Sequence, residues 1–178
     1  MHAMLDIETL GTEPNSPVLS AGIVFFDPKT DKIHETGMFL FDPNEQPGRP
    51  INFNTMKWWM KQSKEARAHW EQAQPQPIRV ELERFQVFAN SHGSTTWWAN
   101  SPAFDEVIMS SLFADYDMTP PWKFWSWRDV RTVKAFLNDT TPIPNLNAHD
   151  PIADCLAQIR LVFRFYKEQA MLDLLQEG

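Results

Sequence analysis

Val18–Asp27 is apolar at nearly every position, and such a run belongs in a central strand that is covered on both faces. Ala3–Ile7 reads as a short strand before it. Lys32–Asp42, carrying Ile33, Met38 and Leu40, reads as a third strand, set off by a hairpin turn at Asp27-Pro28-Lys29-Thr30-Asp31. The three form a meander, and the rest of the chain supplies helices to cover it.

Prolines between Asp42 and Pro50 interrupt the pattern. Asn54 to about Trp70 then reads as one helix, ended by Ala73-Gln74-Pro75-Gln76-Pro77. Ile78–His92 is a second helix, with Ile78, Leu82, Phe85 and Ala89 on one face and Gly93 at its C-cap. Thr95–Ala99 is a fourth strand, Phe104–Leu112 opens a third helix, Trp125–Trp127 is a short fifth strand and Val130–Leu137 another helix. In the last helix Asp150 suits the cap and Pro151 the first turn. Ile152, Leu156, Ile159, Phe163, Tyr166 and Ala170 form its apolar stripe, and Leu161, Phe165 and Leu172 lie on the opposite face. A helix apolar on two sides is sandwiched, either inside the fold or against a second subunit.

With 178 residues, 43% of them hydrophobic, the expectation is one α/β domain over 1–178 with a core of its own. The lone Cys155 cannot form an internal disulfide. No apolar run approaches the ~20 residues of a membrane span, and no basic, then apolar, leader precedes Asp6. The expected location is cytoplasmic.

The acids carry the chemistry. Asp6 and Glu8 are two apart, so on a strand both carboxylates point to one face. Met4, Leu5 and Ile7 make that strand internal, where unpaired acids are costly. Asp105 follows the fourth strand after an Asn100-Ser101-Pro102 turn, and Asp154 lies near the start of the last helix. Either acid alone can be read as a partner of a helix dipole. Together they put acids at three element ends that a crossed-over sheet would bring together. His149, five residues before Asp154, sits in a loop. An unperturbed imidazole, titrating near ~6.5, suits removal of a proton near neutral pH.

Asp6-Ile7-Glu8-Thr9, then Asn100 through Phe104-Asp105, then His149-x4-Asp154 resemble the three motifs of the DEDDh 3′–5′ exonucleases. Met56-Lys57-Trp58-Trp59 followed by Gln62-Ser63, Trp98-x-Asn100, and Trp127-Arg128-Asp129-Val130-Arg131-Thr132 are similar to the small bacterial and phage exoribonucleases among them. The resemblance runs from Asp6 to the last helix. Pro102, in the loop before Asp105, departs from the pattern and bears on how that loop meets substrate.

The resemblance implies a ribonuclease H-like fold, a mixed five-stranded sheet flanked by helices. It implies two Mg²⁺ or Mn²⁺ ions on Asp6, Glu8, Asp105 and Asp154, hard cations on oxygen ligands, with His149 as general base. The implied reaction releases nucleoside 5′-monophosphates from the 3′ end of single strands or short overhangs, RNA preferred. A homodimer is implied too. Thr9, Leu10 and Gly11 would approach the terminal nucleotide, with Asn100 nearby. Trp58 and Trp59 point about 100° apart on a helix, so one reaches substrate while the other packs, and Trp59 is the expected stacker. Trp97 and Trp98, alternating on a strand, are both core. Arg128 and Arg131 are candidate phosphate contacts, Arg128 foremost.

Net charge is −7, unfavourable for tracking along a long duplex. Two divalent cations would reduce it to −3, compatible with gripping the last few nucleotides. Two other readings remain: the same chemistry on single-stranded DNA, and a non-catalytic nucleic-acid- or protein-binding module on the same fold. A structural calcium-binding protein would want a compact ligand loop, and none is present.

Overall fold

The computed structural model describes residues 1–71, 74–93, 96–145 and 147–176. Strands β1 (His2–Thr9), β2 (Val18–Asp27) and β3 (Lys32–Leu40) form the expected antiparallel meander. Strands β4 (Thr96–Ala99) and β5 (Trp127–Asp129) add in parallel on the other side of β1, giving the order β3-β2-β1-β4-β5. This is the mixed five-stranded sheet expected.

The helices among the described residues are α1 (Phe53–Trp59), α2 (Lys64–Glu71), α3 (Ile78–Asn90), α4 (Pro102–Asp115), α5 (Val130–Phe136) and α6 (Pro151–Gln176), with α3 and α4 packed on one face of the sheet and α5 and α6 on the other. Among the described residues none is long and apolar enough to cross a membrane. Two expectations need correction. The single helix over 54–70 is two helices. Lys61 N and Gln62 N donate three residues back, to Trp58 O and Trp59 O, tightening and ending α1. Ser63 then caps α2, its Oγ accepting from Ala66 N at 3.1 Å. The fifth strand is shifted two residues later, because Phe124–Ser126 coil into a 3₁₀ turn in which Ser126 Oγ donates to Lys123 O. The expected helix end at Ala73 and strand start at Thr95 lie outside the described residues.

Alternation along β1 decides where the acids point. Ala3, Leu5 and Ile7 enter one core with Ile23, Phe25, Phe39 and Trp97, packed on Leu82 and Phe85 of α3 and Ile108 and Leu112 of α4. Met4 faces the other side with Val24, Phe26 and Trp98, under Val133 of α5 and Cys155, Ile159 and Val162 of α6. Asp6 and Glu8 continue that second face, so the strand delivers them to α6. Both Trp97 and Trp98 are core, one on each side, as expected. The buried seam of α6 is Cys155–Ile159–Val162. Ile152, Leu156, Phe163 and Tyr166 flank it half-buried, while Ala170 and Leu172 are exposed.

The start of α6 lies against β2 with no room to spare. A Cβ built on Gly22, which pairs with Asp6 across the strands, would come within 2.8–2.9 Å of Pro151 backbone and side-chain atoms. Gly22→Ala is therefore expected to destabilise by about 1–3 kcal/mol through overpacking and to move Asp154 away from Asp6. Chemical denaturation alongside an activity assay checks this, with a stable and fully active variant as the contrary result.

Candidate active site

The C-terminal end of β1, the first turn of α4 and the first turn of α6 meet in one cleft. It is lined by Asp6, Glu8, Trp58, Asn100, Asp105, Arg131, His149 and Asp154. Three of the four acids, Asp6, Asp105 and Asp154, accept a hydrogen bond that holds them. β1 and β4 pair only as far as Met4 and Trp98, which leaves Ile7 N free of the ladder. The Asp105 carboxylate takes its place, accepting from Ile7 N at 3.1 Å. Asp6 Oδ1 accepts from Gln158 Nε2 at 2.6 Å. Asp154 Oδ2 accepts from His149 N at 2.9 Å, and its other oxygen accepts from Asn145 Nδ2. Glu8 has no donor as near; His149 Nδ1 stands 3.9 Å from its Oε1.

His149 occupies the left-handed region at φ 70°, a backbone conformation that costs a non-glycine residue about 1–3 kcal/mol and that recurs at functional sites. The loop is tied on both sides. Asp150 caps α6 by accepting from Ile152 N and Ala153 N, each at 2.9 Å, the capping role read from the sequence. The imidazole meets the Trp58 ring at 4.7 Å between centroids, edge to face.

Four carboxylates so close cannot all ionise cheaply. Burial pushes the Glu8 carboxyl up to about 9, with Asp154 and Asp105 adding to it. Burial likewise raises Asp105 to about 7, against the pull of the Ile7 amide and Arg131. Asp6 is driven well above the ordinary carboxylate range by burial and by the charges of Asp105, Glu8 and Asp154, and burial raises Asp154. Carboxylates that repel when ionised and stay uncharged when alone are the electrostatic signature of a cation site. The four carboxylates offer the oxygen ligands that hard divalent cations take, and oxygens of Glu8 and Asp154 lie with a ring nitrogen of His149 within 4.8 Å of one another. A second mark is Gln158, whose Oε1 is buried beside the acids with no hydrogen-bond partner.

The fold thus brings together Asp6, Glu8, Asp105, His149, Asp154 and Asn100. Thr9 and Gly11 line an adjoining groove with Glu8, Asn52, Trp58 and Phe104. Three expected substrate contacts lie elsewhere. Trp59 is only 1% exposed, and its indole Nε1 donates to Thr9 O at 2.9 Å, so it props β1 from behind. Trp58, 40% exposed, is the tryptophan that faces the cleft. Leu10 packs inward with Leu19 and Trp59, because Leu10 N and O are both bonded to neighbouring loops (Pro17 O and Asn52 N) and fix its direction. Arg128 lies along β5 opposite Trp98, its Nη1 donating to Trp127 O at 2.8 Å, and it does not line the cleft; Arg131 does. Gln158 and Asn145 belong to the site as well, through their bonds to Asp6 and Asp154, although no motif in the sequence points to them. Gln158 is four residues after Asp154, hence on the same helix face, a signal the sequence contained; Asn145 reaches Asp154 through a loop turn that no spacing encodes.

The family described as the 3′-5′ exoribonuclease Rv2179c-like domain matches residues 1–165. The chain is 28% identical over 204 residues to an exodeoxyribonuclease of Enterobacteria phage T4, covering 94% of this chain and 89% of the phage protein. Among solved structures it is similar to E. coli exonuclease I in complex with a dT13 oligonucleotide (TM-score 0.61, 16% identity, 96% of this chain). It is also similar to the nuclease domain of 3′hExo, a DEDDh family member bound to rAMP (TM-score 0.58, 12% identity, 94% of this chain and 92% of that domain). The chain spans 42% of the length of exonuclease I. At these identities the structural likenesses speak for the ribonuclease H-like exonuclease fold.

Proposed function

Since the chain belongs to the family of 3′–5′ exoribonuclease Rv2179c-like domains, and is thereby an exonuclease, we propose that it removes nucleotides from the 3′ end of single strands or short 3′ overhangs, RNA preferred. It uses two Mg²⁺ or Mn²⁺ ions and acts in the cytoplasm as a homodimer of single 1–178 domains. The observation that carries this reading is the convergence of Asp6, Glu8, Asp105 and Asp154 with His149 from segments as much as 148 residues apart in one cleft.

Asp6, Glu8, Asp105 and Asp154 hold the cations, which supply Lewis-acid polarisation of the scissile phosphate. His149 accepts the proton of the attacking water, its ring set between Glu8 and Trp58. The water oxygen bonds to phosphorus, the 3′ oxygen of the preceding nucleotide leaves, and a nucleoside 5′-monophosphate is released. Gln158 and the Ile7 amide keep two of the carboxylates from turning away. Thr9, Gly11, Asn100 and Trp58 contact the terminal nucleotides, and Arg131 meets a phosphate.

Trp58→Ala is expected to raise KM by about tenfold through loss of stacking with little change in stability. Trp59→Ala is expected to cost about 3–5 kcal/mol of folding stability instead. Steady-state kinetics and thermal melts on both variants separate the roles; the reverse pattern would return the stacking role to Trp59.

A second reading has its own support: the T4 relative is an exodeoxyribonuclease, and exonuclease I is solved with deoxyoligonucleotides. The test is 5′-labelled RNA and DNA of equal sequence with Mg²⁺, with Mn²⁺ and with EDTA. A metal-dependent ladder on RNA supports the first reading. A ladder on DNA alone replaces RNA by DNA, and no ladder on either leaves a binding module.

A further inference from the structure

Beyond the cleft, the stretch from Lys123 to Lys134 is unlike the rest of the chain. It holds Lys123, Arg128, Arg131 and Lys134 against the single acid Asp129, in a protein of net charge −7. It also exposes two aromatics side by side: Phe124 at 82% and Trp125 at 62%, centroids 4.8 Å apart and rings nearly perpendicular. Lys123 Nζ lies over the Trp125 ring, 5.3 Å from its centroid, and Arg128 Nη1 donates to the carbonyls of Trp125 and Trp127. The neighbouring Trp122 and Trp127 are packed into the core, which anchors the turn while its two central rings stay in solvent.

The place of this patch is as telling as its chemistry. β5 is an edge strand of the sheet, and it leads directly into α5, whose first turn puts Arg131 in the cleft. Arg131 is six positions after Trp125, at most roughly 20 Å of extended chain, a span of a few nucleotides. Flat rings beside cations match bases beside phosphates, whereas a second copy of an acidic chain would find only the cations complementary.

We propose that the Lys123-Phe124-Trp125 turn is a secondary binding site for single-stranded nucleic acid, holding the part of a strand upstream of the 3′ end that occupies the cleft. It deepens the exonuclease reading and rests on it for the direction of the strand, but the binding itself requires no cleavage. Substrates too short to leave the cleft are indifferent to this site, so it confers a preference for longer strands.

The test uses fluorescein-labelled 20-mer and trinucleotide strands, RNA and DNA, bound in EDTA and read by anisotropy, with the full chain and its Phe124→Ala/Trp125→Ala and Lys123→Glu variants. For the 20-mer, Kd is expected to rise about tenfold or more in the double variant, and the salt dependence to flatten in Lys123→Glu. Trinucleotide binding stays unchanged in both, and Trp125→Phe keeps most of the 20-mer affinity. Equal 20-mer binding by parent and variants overturns the proposal. So does sedimentation showing that the double variant turns a dimer into monomers with 20-mer affinity intact, since the face then belongs to a second copy. A parent that binds but cleaves nothing would remove the exonuclease reading and leave this site standing.

Discussion

Asp6→Asn is expected to lower turnover by about 10³-fold or more while making the metal-free protein harder to unfold. Loss of an acid that holds a cation removes several kcal/mol of transition-state charge stabilisation, and each 1.36 kcal/mol is about tenfold in rate. The same exchange relieves repulsion. Asp6 is driven up by Asp105, Glu8 and Asp154 as well as by burial, and an asparagine oxygen still accepts the bond from Gln158. In a chain of this size each kcal/mol relieved adds about 2–4 °C to Tm. Single-turnover cleavage and calorimetry in EDTA at pH 8 test the pair. An inactive variant that also melts lower would mean that Asp6 is a structural acid and the cleft is not strained by charge.

Stability itself should run opposite to the acid denaturation of most proteins. Glu8 titrates at about 9 and Asp105 at about 7 in the folded chain, against about 4 for ordinary carboxylates. Across that interval the native state keeps protons that the unfolded chain has released, so these groups make stability fall as pH rises. Their contribution is full below pH ~4 and gone once pH passes the folded values. Divalent cations compete with those protons, so the rise in Tm on adding Mn²⁺ grows from pH 5 to pH 9. At a hundred times Kd it amounts to about 2.7 kcal/mol, or roughly 5–10 °C. A metal-free Tm that is flat from pH 5 to pH 9, or an Mn²⁺ shift of equal size at both ends, would show that the four acids do not share one charge-strained site. His149→Ala, by contrast, should leave the metal shift largely in place while reducing turnover about 10²–10⁴-fold.

Much of this molecule is local information. The period-two pattern of His2–Thr9 and the apolar run Val18–Asp27 set strand identity and faces. Asp150 and Pro151 mark the start of α6, while α3 ends at Asn90 with Ser91 as its cap, two residues before the expected cap at Gly93. Asp6, Glu8, Asp105, His149 and Asp154 stand out in the chain by their places near element ends and by the DEDDh motif resemblance that joins them. What failed was choosing between neighbours. Trp58 and Trp59 have the same side chain and similar flanks, and only the packing of α1 on Leu10 and Leu19 decides which is swallowed. Arg128 and Arg131 differ in the same way: one lies along the edge strand, the other a turn further on at the cleft. The break after Trp59 depends on the Ser63 cap, and serine is tolerated inside a helix as well as at its start.

The sequence by itself therefore determined which residues carry charge, the order of strands and helices apart from the break after Trp59, and which face of β1 Asp6 and Glu8 take, because those follow from spacing along one element. The tertiary structure alone decided which tryptophan and which arginine meet the cleft, and that Gln158 and the Ile7 amide hold the acids. Those are contacts across 91 to 152 residues of chain between different elements, or choices set by how an element seats on its neighbours. Distance in space between elements is fixed by packing, and packing is not periodic in the sequence.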